Sequence, residues 1–367
     1  MEYMEFIILA FAILYFTIIF SFLIGIVFLN DSKNTNINNI SVLIAARNEE
    51  EHLPDLIKSL ISQNYPKENY EIIIVDDRST DKTSELVKQF QCEYSNMKLL
   101  RIENESEQLL GKKEAIDAGI RAASYNLLAF TDADCVPTQN WLKHINSHFT
   151  EDTDVVAGYS YVHYKNRFFK YLKNLERSSL FAVIAGSFGW NWGITITAGN
   201  MAYRKELFEK AGGFGEIGKV RSGDDDLMIQ KMRKHIRCMK FMFHPDSIIE
   251  TGRDQTTKTQ MHQEIRRGSK WRYYTLPIKI LTLFIFMYYV IFIWCFLGFL
   301  FSKISTMLFI IILILKILPE FLLLTLFLAK IRRLRLMWVF PIAELLYIPY
   351  FIYFGMKGTF GKYRWKE

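Results

Sequence analysis

The sequence contains no C-x-x-C pair. Its four cysteines, Cys92, Cys135, Cys238 and Cys295, are widely scattered, which excludes a zinc ribbon or a disulfide frame and points to reduced thiols in a cytoplasmic domain. The seven histidines show no ligand spacing either. No glycine-rich basic loop follows the first short apolar run; "AARNEEEH" (45–52) is acidic, which argues against a nucleotidyltransferase on an α/β scaffold. Lysine and arginine exceed aspartate and glutamate by 45 to 38, yet the excess is not spread over the chain. It gathers in "RRGSKWR" (266–272), "KIRRLR" (330–335) and "KGTFGKYRWK" (357–366), beside apolar segments. Such placement fits positive-inside topology and headgroup anchoring rather than nucleic-acid binding.

Charge is missing altogether from 6–29 and from 280–302, and each stretch exceeds the roughly 20 residues needed to cross a bilayer core. A third apolar stretch, 304–329, is interrupted by Lys316, Pro319 and Glu320, and a fourth, 336–356, carries Pro341, Glu344 and Pro349. The leading "MEYME" is acidic where a signal peptide is basic, and the apolar core behind it is long, so the first segment reads as a retained anchor. The chain therefore divides into an anchor (1–31), a polar α/β domain (32–275), and C-terminal transmembrane or interfacial helices with a basic tail (276–367). This is a multi-pass cell-membrane protein with its large domain in the cytoplasm. A fully crossing last segment would leave the basic tail outside; Pro341 and Pro349 instead predict a re-entrant or interfacial piece that keeps the tail inside. Lys316 and Glu320, one turn apart, either pair within the membrane or mark two shorter pieces meeting near Pro319.

Within the polar domain, short apolar runs alternate with helical patterns. "SVLIAA" (41–46), "YEIIIVDD" (70–77), "MKLLRI" (97–102) and "NLLAFTDAD" (126–134) read as strands. Helical stretches separate them, one opening on the capping residues of "STDKTSELVKQF". The alternation predicts right-handed βαβ units and a mainly parallel sheet flanked by helices, whose ligand crevice lies outside the carboxyl ends of the strands. Both acidic motifs fall there, Asp76-Asp77 after the second strand and Asp132/Asp134 after the fourth. Residues i and i+2 of an extended chain share a face, so Asp132 and Asp134 converge. Two converging carboxylates repel unless a cation joins them, and Mg²⁺ or Mn²⁺, completed by substrate phosphates, is the natural one.

Six segments, "SVLIAARNEEEHLPDLIKSL", "EIIIVDDRSTDKT", "GKKEAIDAGI", "FTDADC", "TAGNMAYRKELF" and "SGDDDLMIQK", resemble in content and order the family-two glycosyltransferases of the GT-A fold. The resemblance covers about 41–272. It implies an inverting, metal-dependent enzyme that takes a sugar from a nucleotide-sugar, with a UDP-sugar favoured and GDP-mannose the second candidate. The acceptor would be a hydroxyl of a lipid-linked or glycan molecule. Nothing in the motifs fixes an oligomeric state.

Carried over residue by residue, the resemblance assigns Asp132 and Asp134 to the metal. Ala46, Asn48, Glu49, Asp76, Asp77, Gly111 and Lys112 go to the donor nucleotide, with the amides after the first strand free for an anion or ribose. Lys113 reads as solvated. Gly199 lets backbone approach a ligand closely, and Asn200, with Asp226, would orient sugar hydroxyls. An inverting reaction needs a general base, a carboxylate whose pKa is raised by neighbouring charge and burial. Alignment on Asp226-Leu227 makes that base Asp224, and alignment on an acidic pair makes it Asp225. In the family's Gln-x-x-Arg-Trp element, Gln263 and Arg266 match, but Arg267 stands where the tryptophan is usual. Trp271, one turn on, is the nearest ring to stack on an acceptor, and Arg266 or Arg267 would close over the leaving diphosphate. The missing ring favours addition of one or a few sugars over a processive polysaccharide synthase. The retained acidic motifs argue against a non-catalytic membrane partner.

Overall fold

The computed structural model describes residues 2–29, 33–164, 166–252 and 257–360; the last part of the basic tail, 361–366, lies outside them. The chain runs α1 (Glu2–Phe28), β1 (Ile40–Ala46), α2 (Leu53–Ile61), β2 (Tyr70–Asp77), α3 (Thr83–Glu93), β3 (Met97–Ile102), α4 (Lys113–Ala122), β4 (Leu127–Phe130) and α5 (Trp141–His148). It continues through β5 (Val155–Gly158), β6 (Ser160–Val162), α6 (Arg167–Gly189), β7 (Met201–Arg204), α7 (Lys205–Lys210), α8 (Asp226–Met232), β8 (Met239–Met242) and β9 (Ile249–Thr251). Helices α9 (Thr257–Ser269), α10 (Leu276–Leu300), α11 (Thr306–Lys330) and α12 (Phe340–Phe360) complete it. These elements form two compact units that interleave in sequence. One is Leu29–Lys170 with Phe188–Asp254; the other is Met1–Phe28, Tyr171–Ser187 and Gln255–Glu367. The second unit thus takes the middle of α6 and all of α9 from the stretch 32–275.

The first unit is built on a seven-stranded sheet of order β3-β2-β1-β4-β7-β5-β8. β1, β2, β3 and β4 are parallel, as the βαβ reading requires, whereas β7 runs antiparallel between β4 and β5. Every residue of β2 is buried, which explains its unbroken apolar run, since strands covered on both faces do not alternate. α2 buries Leu53, Leu56, Ile57 and Leu60, a spacing that lays one helical stripe on the sheet; each such side chain contributes about 1.5–3 kcal/mol when fully buried. A small parallel pair, β6 with β9, lies outside the main sheet.

In the second unit, four helices are long and apolar enough to cross a membrane. Pro319 lies inside an undivided α11, so the reading of two shorter pieces meeting there fails, whereas the last apolar stretch is divided near Pro341 into a 3-10 turn (Leu334–Val339) and α12, which contains Pro349. A proline removes one hydrogen bond, which neighbouring helices tolerate in an apolar bundle. Lys316 is buried and paired with Glu320 at 3.0 Å and with Glu344 of α12. The Tyr15 hydroxyl of α1 donates to Glu320 at 2.5 Å. α12 starts against the middle of its neighbours, Phe340 on Phe321 and Tyr347 and Phe351 on Tyr289. It leaves with Gly358 against Gly268 of α9.

Candidate active site

The acidic motifs collect at the carboxyl ends of β2 and β4, though not all as predicted. Lys112 borders a small, mainly apolar cavity between the sheet and α4, lined by Leu43, Val75, Ile116, Phe130 and Ala198. β4 ends at Phe130, and Asp132 to Asp134 form a turn closed by the Cys135 amide donating to the Asp132 carbonyl at 3.0 Å. The carboxylates converge because of that turn, not through strand alternation. Oxygens of Asp132 and Asp134 and the sulfur of Cys135 all lie within 4.8 Å of one another. Two half-buried carboxylates at this separation suit a hard divalent ion. Burial, then Asp134 and Asp132, push the thiol of Cys135 far up in the metal-free protein.

Lys112, expected on the nucleotide, pairs instead with Asp132 through its ammonium, and Asp132 and Asp224 hold its charge above the ordinary lysine range against the opposing effect of burial. Asp224 is half-buried, and its pKa is raised, first by burial and then by Asp225, with Lys112 and Lys113 opposing. Asp225 has another task. It caps α8 by accepting from the Asp226 amide at 2.7 Å and also accepts from the Ala198 amide at 3.2 Å. Asp226 is buried and accepts from the Leu227 amide at 2.8 Å. Asp224 is thus an aspartate with a raised carboxyl pKa set beside Lys112 and Asp132.

Gly199 does permit a close approach, but to a protein group: a Cβ there would sit 3.2 Å from Asp132 Oδ2. Gly111, at φ +67°, faces the Arg221 carbonyl, which a Cβ would meet at 2.5 Å; only glycine suits both demands. Asn200 is corrected as a sugar ligand. It is fully buried, donates to the carbonyls of Tyr159 and Ser247 at 2.9 Å each, and accepts from the Trp141 indole at 2.9 Å. Breaking that set would cost about 1–3 kcal/mol per orphaned group. Lys113 is not solvated but fully buried, donating to the carbonyls of Val220 and Ser222. It ties down the loop that delivers Asp224, and nothing in its neighbours' sequence signals this.

On the nucleotide side, Ala46 is buried at the end of β1. The amides of Asn48, Glu49 and Glu50 are not free for a ligand. They donate to Ser79, Thr83 and Asp81 at 3.0, 2.9 and 3.1 Å, while Asn48 Oδ1 accepts from the Thr80 amide at 2.8 Å. The two loops are zipped together. Asp76 is buried and accepts from the Ser79 amide at 2.9 Å and the Ser84 hydroxyl. Asp77 is also buried; burial raises its pKa, with Arg78 and Arg47 opposing. Arg47, which the motif reading passed over, is the exposed cation beside it.

Gln263, Arg266, Arg267 and Trp271 belong to the other unit. Gln263 and Arg266 are half-buried on α9. Arg267 is not held ready for a phosphate, since it pairs with Glu264 at 2.9 Å, which also binds Lys173 of α6 at 2.9 Å. Trp271 is tied to α10, its indole donating to the Thr282 hydroxyl at 2.8 Å and Lys279 lying over its ring. This makes it an anchor of the bundle rather than a stacking platform.

Residues 41–212 match the family described as Glycosyl transferase family 2. Among curated relatives, glycosyltransferase AglE of Haloferax volcanii is 38% identical over 120 residues, 32% of this chain and 38% of that protein. The dolichyl N-acetyl-alpha-D-glucosaminyl phosphate 3-beta-D-2,3-diacetamido-2,3-dideoxy-beta-D-glucuronosyltransferase of Methanococcus voltae is 34% identical over 107 residues, 29% of this chain and 32% of that protein. The chain spans well under two thirds of the length of both. The solved structure of mannosyltransferase PcManGT from Pyrobaculum calidifontis, in complex with GDP-Man and Mn²⁺, superposes with a TM-score of 0.55 at 16% identity. The match covers 96% of this chain and 98% of that one, a likeness of fold.

Proposed function

We propose, from the match of residues 41–212 to the family described as Glycosyl transferase family 2, that the protein is a membrane-associated inverting glycosyltransferase. It would move a sugar from a nucleotide-sugar to a hydroxyl of a lipid-linked or glycan acceptor. The observation that carries the reading is the meeting of Asp132, Asp134, Lys112 and Asp224 at the carboxyl edge of the sheet. Asp132 and Asp134 would hold Mg²⁺ or Mn²⁺, which when bound supplies positive charge to the leaving diphosphate. Lys112 neutralises Asp132 in the free protein. With Asp132 engaged elsewhere, its ammonium is free to meet phosphate charge. Asp224, kept basic by burial and by Asp225, would take the proton of the attacking hydroxyl. Asp77, which pairs with Arg78, and the exposed Arg47 would face the nucleoside.

A UDP-sugar is the favoured donor, and GDP-mannose the second. The relative from Methanococcus voltae, named for a dolichyl N-acetyl-alpha-D-glucosaminyl phosphate, supports a lipid-linked acceptor here. The course of α12 supports a re-entrant helix, because its last turn packs on α9, just ahead of the start of α10. That course would keep the basic tail and the catalytic domain on the cytoplasmic face. Purified protein offered UDP-sugars and GDP-mannose with Mn²⁺ should release nucleoside diphosphate with one of them. Release of nucleoside monophosphate, or turnover unaffected by a chelator, would refute the reading.

A further inference from the structure

Besides Asp132, Asp134 and Cys135, one other set of side chains among the described residues brings three metal-competent atoms within 4.8 Å of one another: His144, His244 and Asp246. His144 and His244 lie a hundred positions apart, so the absence of ligand spacing in the sequence concealed them. We propose that these three residues form a second metal site, for a borderline divalent ion such as Zn²⁺, that staples the turn 243–247 to α5. Two imidazoles and one carboxylate suit zinc, with water in the fourth position, whereas the all-oxygen pair at the sheet edge suits Mg²⁺ or Mn²⁺.

His144 is half-buried on α5, and among the described residues neither of its ring nitrogens has a hydrogen-bond partner. Burial, then His244 and His148, with a smaller push from Lys143, lower its pKa to about 4 against the pull of Asp246. The imidazole ring of His144 faces the turn that carries His244. Its plane stacks on that of His244 with centroids 4.3 Å apart. His244 Nδ1 now accepts the Asp246 amide at 3.1 Å and lies 3.9 Å from Asp246 Oδ2. Tetrahedral zinc with bonds of about 2.0–2.1 Å needs ligand atoms about 3.3 Å apart. The His244–Asp246 pair would close by about 0.6 Å, and a pair at the 4.8 Å limit by up to about 1.5 Å, in a turn where both of those side chains are about half exposed.

Supporting groups are already in place. Asn140 Nδ2 donates to Asp246 Oδ2 at 3.1 Å, and Asn64 Nδ2 orients Asn140 at 2.9 Å. The Thr138 hydroxyl donates to the Asp246 carbonyl. Thr138 and Asn140 sit in the loop that begins with Asp132, so an ion at this site would stiffen that loop from its far end.

Tag-free full-length protein in detergent, stripped of metal, is titrated with Zn²⁺ by calorimetry and with Co²⁺ by visible absorption. Wild type and Asp134→Ala should each bind one equivalent tightly, with Co²⁺ giving the strong absorption of a four-coordinate ion. His144→Ala and His244→Ala should weaken binding about 100-fold, and Asn140→Ala about 10-fold. Zn²⁺ should raise the thermal midpoint of wild type but not of His244→Ala, whose exposed position tolerates the change. Equal Zn²⁺ affinity in wild type and His244→Ala would overturn the proposal, as would tight binding lost only in Asp134→Ala.

Discussion

Two lysines in this chain are each set among carboxylates, and the contrast between them separates chemistry from architecture. Lys112 lies beside Asp132 and Asp224 at the carboxyl end of β4, with Asp132 only part-buried. Lys316 lies between Glu320 and Glu344 among apolar helices, with 2% of its side chain exposed. The first group can exchange partners because water and ligand reach it. The second cannot, since desolvated charge that loses its partner has nothing to replace it. The same chemical grouping is a candidate catalytic centre in one unit and a clamp in the other.

Removing a carboxylate from the first group should have the largest effect. Asp134→Ala is expected to lower sugar-nucleotide turnover at least about a thousandfold, ~4 kcal/mol in the barrier, with unchanged circular dichroism and membrane insertion. Retained metal-dependent turnover would dissolve the contrast. Lys316→Met should instead leave the chemistry alone and cost about 3–5 kcal/mol of stability by stranding two buried glutamates. Adding Glu320→Gln and Glu344→Gln should recover most of that loss in detergent melting curves. A variant that melts like wild type would show that the pair is not a clamp.

The base assignment sharpens the comparison further. Asp224→Asn should reduce turnover about a hundredfold. Asp225→Ala should act mainly on stability, by about 1 kcal/mol, through the α8 cap. Because the Asp224 carboxyl is raised and must be ionised to accept a proton, activity should fall as pH drops, with its midpoint above the ordinary aspartate value of about 3.9. Lys112→Met removes a cation that opposes the shift, so the acid limb should move to higher pH. An acid limb that stays put would argue for Asp225. The smallest effect is expected from Gly199→Ala, about tenfold in turnover (~1.4 kcal/mol), as its Cβ presses on Asp132.

Features set by local patterns were legible in advance. The four parallel strands, the apolar segments and the acidic residues at strand ends all follow from spacing along the chain. The errors share a cause. Asn200, Asp76 and the amides of Asn48 and Glu49 looked available but are occupied by Trp141, Ser84, Ser79 and Thr83. Lys113 looked solvated but is buried beneath Ser222. The partners of Asn48, Glu49, Asn200 and Lys113 lie 31 to 109 positions away, whereas Asp76 is engaged by Ser79 and Ser84, three and eight positions on, in the stretch that starts α3.

The order of residues alone decided where chain could be strand, helix or bilayer segment, because backbone periodicity and apolar run length act over a few neighbours. Tertiary folding decided which polar groups stay unspent. Whether a carboxylate, amide or imidazole is free depends on donors and desolvation supplied by contacts that no local pattern encodes: Asp224 beside Lys112, Glu344 against Lys316, and His144 stacked on His244.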